Sequence, residues 1–117
     1  MITALLVAVL GGFGAVARYA IAQWSGRLPW GILAGNTLAA VIAIAVLRVA
    51  GADSTLATLV VTGFAGGLST FSSMVAGTHE LLKAKAWTRA SINLVANLAV
   101  PSTAALLTAV ALDALLK

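Results

Sequence analysis

The sequence predicts an all-α integral membrane protein of four transmembrane helices, with the third helix broken at mid-membrane. Three observations carry this prediction. Hydrophobic residues fill 62% of the 117 positions and charged residues only 9%, with a mean hydropathy of +1.09, too apolar for a water-soluble domain of this size. Long uncharged runs recur along the chain, each approaching the roughly 20 residues that a helix needs to cross a bilayer. Inside the third run lies Gly63-Phe64-Ala65-Gly66-Gly67-Leu68-Ser69-Thr70-Phe71-Ser72-Ser73-Met74. Its adjacent glycines each cost a helix roughly 1 kcal/mol relative to alanine. Ser69, Thr70, Ser72 and Ser73 then compete with the backbone for hydrogen bonds. In lipid, backbone groups freed this way persist only when buried in protein or facing a wet cavity. The same small residues also suit a tight packing seam between helices.

The first span, 2–24, carries Gly11, Gly12 and Gly14, then Arg18. Pro29-Trp30 opens the second span, 30–47, because proline suits a helix start; Asn36 lies within it and Arg48 closes it. Gly51-Ala52-Asp53-Ser54 reads as a turn in which Asp53 or Ser54 caps the third span, 54–79. A polar connection, 79–89, holds Glu80, Lys83, Lys85 and Arg89. The fourth span, 90–112, contains Asn93, Asn97 and Pro101, and the whole chain, 1–117, forms one four-helix membrane domain. Trp24, Trp30 and Trp87 fall at the expected interfaces, as aromatic belts do. Arg27, Lys83, Lys85 and Arg89 flank one side against Arg48 and Lys117 on the other. That asymmetry places the first and third loops in the cytoplasm and both termini outside.

Composition excludes several classes of function. There is no cysteine, hence no disulfide framework, thiol chemistry or thiolate-bound metal. The net charge of +4 comes from residues at the ends of apolar runs, which is membrane-flank behaviour rather than a basic stripe for nucleic acid. The spans hold no nucleophile–base pair and no carboxylate pair, which argues against an enzyme, and no cluster has metal-ligand spacing. Arg18 either snorkels to the nearby interface or draws an anion into a wet vestibule. Asn36 offers two amide N–H donors and serves as interhelical glue or as a ligand donor. Asn93 and Asn97 stand four apart on one helix face, where they line a path or lock a helix pair. The intramembrane polar groups are amides, hydroxyls and one arginine, without a carboxylate. A cation or proton pathway usually needs Asp or Glu, so this set suits a small anion.

At these residues the chain resembles the Fluc/CrcB family of bacterial fluoride channels. Gly11-Gly12-Phe13-Gly14 through Arg18-Tyr19 is similar to the family's first-helix pattern, Pro29-Trp30-Gly31 through Asn36 to its second, and Gly63 to Met74 to its long third-helix motif. The resemblance implies an antiparallel, dual-topology-type dimer with two fluoride pores in the bacterial inner membrane, passively exporting cytoplasmic fluoride and so lowering its toxicity. It also implies a structural sodium ion at the dimer centre, held by the backbone carbonyls of Gly66 and Ser69. A valine at Gly66 is then expected to fail, because a β-branched residue resists unusual backbone. Asn36 becomes the pore donor and Phe71 presents its positive ring edge to the anion, with Ser72 and Ser73 as a hydroxyl track. Arg18 stands in the vestibule. The chain departs from the pattern at Met74, where a second pore phenylalanine is usual, at Ile32 for threonine, and at Asn93 and Asn97 for tyrosine and serine. The second subunit is either a copy of this chain or a paired homologue. Two rival functions are a proton-coupled small multidrug-type exporter and a non-conducting partner subunit of a heterodimeric channel.

Overall fold

A computed structural model describes all residues, 1–117, and contains helices joined by short connections, with no strand. Four stretches are long and apolar enough to cross a membrane: Ile2–Ala22, Trp30–Ala50, Thr55–Lys83 and Trp87–Leu115. Helix α1 is Ile2–Ala22 and α2 is Trp30–Ala50. Pro29 caps the start of α2, and Gly51 ends it at φ 83°, a left-handed angle that glycine adopts without penalty. Helix α3 covers 55–68. Ser54 caps it by accepting the Ala57 N–H at 3.0 Å. Helix α4 is Phe71–Lys83 and α5 is Trp87–Leu115, with Pro101 in its interior.

The expected polar connection 79–89 is mostly helical, leaving only 84–86 between α4 and α5. Its first half continues α4 because Leu81, Leu82 and Lys83 are good helix formers and Glu80 pairs with Lys83 one turn on, at 3.2 Å. At the opposite end of the bundle, Arg48 meets Asp113 at 3.0 Å and ties α2 to α5. Both side chains are substantially exposed, so the pair adds little stability.

Two features of α3 differ from the sequence reading. Thr58–Ala65 is a π-helix, a wider turn that inserts extra backbone ahead of the glycine pair. The glycine pair itself is helical, with Gly66 at φ −61° and ψ −40°, and the chain leaves the helix only at Ser69 and Thr70. The expectation that Gly66 needs glycine for unusual backbone is therefore corrected: any residue can adopt its dihedrals, and an added Cβ there meets only the Val61 carbonyl, at 3.5 Å.

The neighbouring glycines are used for close approach. A Cβ on Gly14 would run into the Phe64 carbonyl and lie 2.9 Å from the Leu68 nitrogen; one on Gly67 would collide with the Gly11 carbonyl. Helix α1 thus lies against α3 backbone to backbone. Helix α2 runs along α5, and α4 packs on α5. Only 14 of 117 residues are buried, and they are mostly glycine and alanine, as expected of a single chain whose outer faces meet other apolar surface. The core cluster is Ala39, Ala65 and Leu68, flanked by Ala17, Ile21 and Phe64, where α1, α2 and α3 meet.

Gly14→Val and Gly67→Val are expected to lower stability by at least about 1–3 kcal/mol, the cost of overpacking, read as thermal unfolding in detergent. Gly12→Ala should leave unfolding unchanged or slightly delayed, since nothing lies within 4 Å of a Cβ there.

Candidate functional site

The site grows from the two residues where the helix pauses. Ser69 (φ −77°, ψ 153°) and Thr70 (φ −153°, ψ 121°) are extended, so their peptide groups turn out of the helical ladder and need other partners. Asn36, reaching across from α2, supplies them. The Thr70 N–H donates to Asn36 Oδ1 at 2.7 Å, and Asn36 Nδ2 donates to the Thr70 carbonyl at 3.1 Å. One carboxamide thus grips both sides of one residue, as a neighbouring strand would. The Thr70 side chain then starts α4: its Oγ1 accepts the Ser73 N–H at 3.1 Å.

Both bonds divert a donor. In an unbroken helix the Thr70 N–H would serve the Gly66 carbonyl and the Ser73 N–H would serve Ser69. Asn36 takes the first and the Thr70 hydroxyl takes the second. The carbonyls of Gly66 and Ser69 are thereby relieved of their helical donors, by two identifiable side chains.

From Asn36 a chain of amides crosses the bundle. Asn36 Nδ2 donates to Asn97 Oδ1 at 3.1 Å, and Asn97 Nδ2 donates to Asn93 Oδ1 at 3.2 Å and to the Asn93 carbonyl at 3.0 Å. Asn93 Nδ2 donates to Thr78 Oγ1 at 2.9 Å and to the Met74 carbonyl at 3.4 Å, while Thr78 Oγ1 donates to that same carbonyl at 2.9 Å. Asn93 and Asn97 are 3% and 8% exposed, and no buried side-chain polar atom lacks a partner. Pro101 has no N–H for the Asn97 carbonyl four residues before it, which leaves another oxygen without its helical donor beside the chain.

Two clefts meet at this point. The first, of about 240 Å³, is lined by Asn36, Thr70, Phe71, Met74, Asn97 and Pro101 among others. The second, of about 320 Å³, lies between α2 and α3, with Ala65, Gly66 and Ser69 on one wall and Ala39, Ala40 and Ala43 on the other. Asn36 and Ser69 line both, and neither cleft has an acidic residue in its wall.

Of the residues singled out from the sequence, Asn36, Phe71, Met74, Asn97 and Ser69 share the first cleft, and Gly66 and Ser69 the second. Phe71 stands 72% exposed on the outer face, whereas Met74, one turn on, is 2% exposed and packed inward. Ser72 and Ser73 gather on the Thr70 hydroxyl, at 3.3 and 3.1 Å. Asn93 is buried behind Asn97. Arg18 is half-buried on α1, lines neither cleft and has no ion-pair partner in the chain. The sequence reading undervalued Thr70, which is cap, hub and strand-like residue at once. Its signal was Ser73 three positions on, the spacing at which a capping hydroxyl finds an N–H. Thr78 gave no signal, because its role depends on Asn93, fifteen residues away.

The family model described as CrcB-like protein, Camphor Resistance (CrcB), matches residues 5–110. A protein of Rhizobium etli strain CFN 42 named "Fluoride-specific ion channel FluC" is 46% identical over 82 residues, covering 62% of this chain and 66% of that protein. "Fluoride-specific ion channel FluC 1" of Thermobifida fusca is 40% identical over 110 residues, covering 90% of this chain and 91% of the relative. "Fluoride-specific ion channel FluC" of Geobacter sulfurreducens is 38% identical over 108 residues, covering 85% and 87%. The chain therefore spans just under two thirds of the Rhizobium relative's length and most of the other two.

Asn36→Ala leaves the buried Thr70 N–H without its partner and should destabilise the fold by about 1–3 kcal/mol in detergent unfolding. Asn36→Asp should destabilise more, because a carboxylate cannot donate to the Thr70 carbonyl or to Asn97 Oδ1 and would face both oxygens.

Proposed function

This chain belongs to the CrcB-like family, and we propose that it is a fluoride-selective channel of the bacterial inner membrane that lets cytoplasmic fluoride leave passively. The supporting observation is the first cleft. It brings an asparagine amide, Ser69, Thr70 and an exposed phenyl ring together, with Ser72 and Ser73 bonded to the Thr70 hydroxyl behind its wall and no carboxylate to repel an anion. The relatives' names supply which anion. An inside-negative membrane potential drives a monovalent anion outward by about 2.3 kcal/mol per 100 mV, so an open path is enough and no coupled ion is required.

The residues divide the work by chemistry. Phe71 offers its electropositive edge on the outer face. Ser72 and Ser73 supply hydroxyl donors beside it, and Arg18 attracts the anion toward the vestibule. Asn36 already uses its N–H groups on Thr70 and Asn97. Fluoride, a compact and strong acceptor, passes by taking over an N–H that one of these oxygens releases. Met74 fills the position of the usual second ring, packed inward.

The interruption at Ser69-Thr70 is, on this reading, a break near the middle of the third span, and its freed carbonyls hold a structural sodium ion. Gly66 and Ser69 present oxygens without helical donors, and hard cations take oxygen ligands. The ion would supply fixed positive charge at the break. Gly66 is exposed on a single chain, so a second subunit is needed to complete the ligand set. We place that subunit antiparallel, with the second cleft at the shared face. The uneven flanking charge and Met74 favour a paired homologue over a second copy, because each pore of a homodimer would contain Met74. The exporter reading has no support at the site. All three acidic residues, Asp53, Glu80 and Asp113, lie at helix ends or in a turn.

Fluoride efflux from liposomes tests the reading. Asn36→Asp should reduce efflux at least about a hundredfold, as loss of a preorganised donor does, and Phe71→Ile should slow it strongly. Ser69→Ala should keep efflux, since only its backbone is used. Chloride passing as fast as fluoride would refute selectivity. Weak efflux from the chain alone, restored by an oppositely oriented homologue, establishes the paired form; robust efflux alone, with tags on both membrane sides, establishes the homodimer.

A further inference from the structure

We infer that Asn97, backed by Asn93, is a positioning residue for the Asn36 carboxamide rather than a donor to the anion. The inference rests on the reading of Asn36 as the anion donor. Four features of the structure carry it.

First, the two residues are buried to 8% and 3% exposure, so little of either faces a conducting space. Second, every polar atom of their side chains is spent on protein partners: both carboxamide oxygens accept and both nitrogens donate. Third, the bonds run one way, from the Thr70 N–H through Asn36, Asn97 and Asn93 to Thr78, and then to the Met74 carbonyl. Each carboxamide accepts from the one before and donates to the one after, so turning any one of them breaks three bonds. Fourth, Asn97 is pinned on its own helix by two bonds to Asn93, which makes its Oδ1 a stationary acceptor.

The consequence concerns the second N–H of Asn36. Thr70 alone fixes the plane of that carboxamide by taking its oxygen and one hydrogen. Asn97 Oδ1 then holds the other hydrogen at the edge of the first cleft, where both side chains contribute to the wall. An anion arriving there meets a donor already aimed and already dehydrated, and displaces a single neutral oxygen. A serine hydroxyl at position 97 can accept from Asn36 and still donate onward, whereas an apolar side chain can do neither.

The test compares fluoride efflux from liposomes with thermal unfolding of the same purified proteins. Asn97→Leu is expected to cut efflux about tenfold and Asn93→Leu about threefold, as misplacement of a reacting group does. The smaller effect follows because Asn97 keeps its bond to the Asn93 main-chain carbonyl. Unfolding temperatures should fall in the opposite order, because Asn93 makes the bonds that reach α4. Asn97→Ser should recover most of the efflux. If Asn97→Leu does not fold, Asn97→Ala against Asn97→Ser reads the same comparison. Efflux losses that track unfolding temperature overturn the inference. So does wild-type efflux in Asn97→Leu while Asn36→Asp stays silent. Conduction by Asn36→Asp instead fells the reading of Asn36 itself.

Discussion

Everything near the centre of this chain depends on the grip of the Asn36 carboxamide on the peptide groups of Thr70. A helix that stops inside apolar surroundings exposes N–H and C=O groups, and each one left bare costs about 2–7 kcal/mol depending on its surroundings. Water is the usual remedy at a helix end, and a bilayer interior offers none. Asn36 provides a donor and an acceptor in one rigid plane, at the spacing of a peptide group. The pause at Ser69-Thr70 is therefore stabilised rather than tolerated, and the carbonyls behind it stay free.

That grip requires α2 to hold Asn36 steady against α3, which explains the small residues around it. Ala39, Ala65 and Leu68 close the space on one side, and Gly35, one residue before Asn36, is buried where α2 faces the Leu68 carbonyl, 3.7 Å from a Cβ built there. On the other side of α3, Gly11, Gly14 and Gly67 bring α1 close enough to fix its axis. The long glycine-and-hydroxyl stretch thus performs two tasks in sequence. Its glycines seat one helix on another, and its hydroxyls start the next helix.

The fold was largely legible because its determinants are local. Apolar runs of membrane length, Pro29 at a helix start and Ser54 at a cap all follow from neighbours in the chain. Within the expected stretch, Gly66 to Ser69, the chain leaves the helix at its far end, and the glycine pair stays helical because Gly67 packs against α1 backbone to backbone. A glycine seam against α1 and an extended pair at Ser69-Thr70 lie a few residues apart. The π-helix at Thr58–Ala65 was not legible, since nothing in Thr58-Leu59-Val60-Val61 distinguishes it from an ordinary helix. At the site, the residue types at Asn36, Asn93, Asn97 and Phe71 were visible. What could not be read was the direction of the bonds joining Asn36 to residues 61 positions away, because that depends on how α2 and α5 are placed.

The direction of those bonds gives the site its character. A row of carboxamides linked head to tail polarises along its length, each bond strengthening the next. It carries partial charge where partners need it and no net charge anywhere. A carboxylate in the row would reverse one step and oppose any anion in the cleft. A lysine or arginine in the row would bind an anion too well to let it leave, since conduction needs entry and exit to be comparably easy. Amides satisfy both demands, and they leave the one intramembrane cation, Arg18, outside the row on α1. In the proposed channel its field would attract an anion from a distance without holding what arrives. On the proposed function, the neutral centre and the offset charge are two halves of one solution to moving a small anion through an apolar layer.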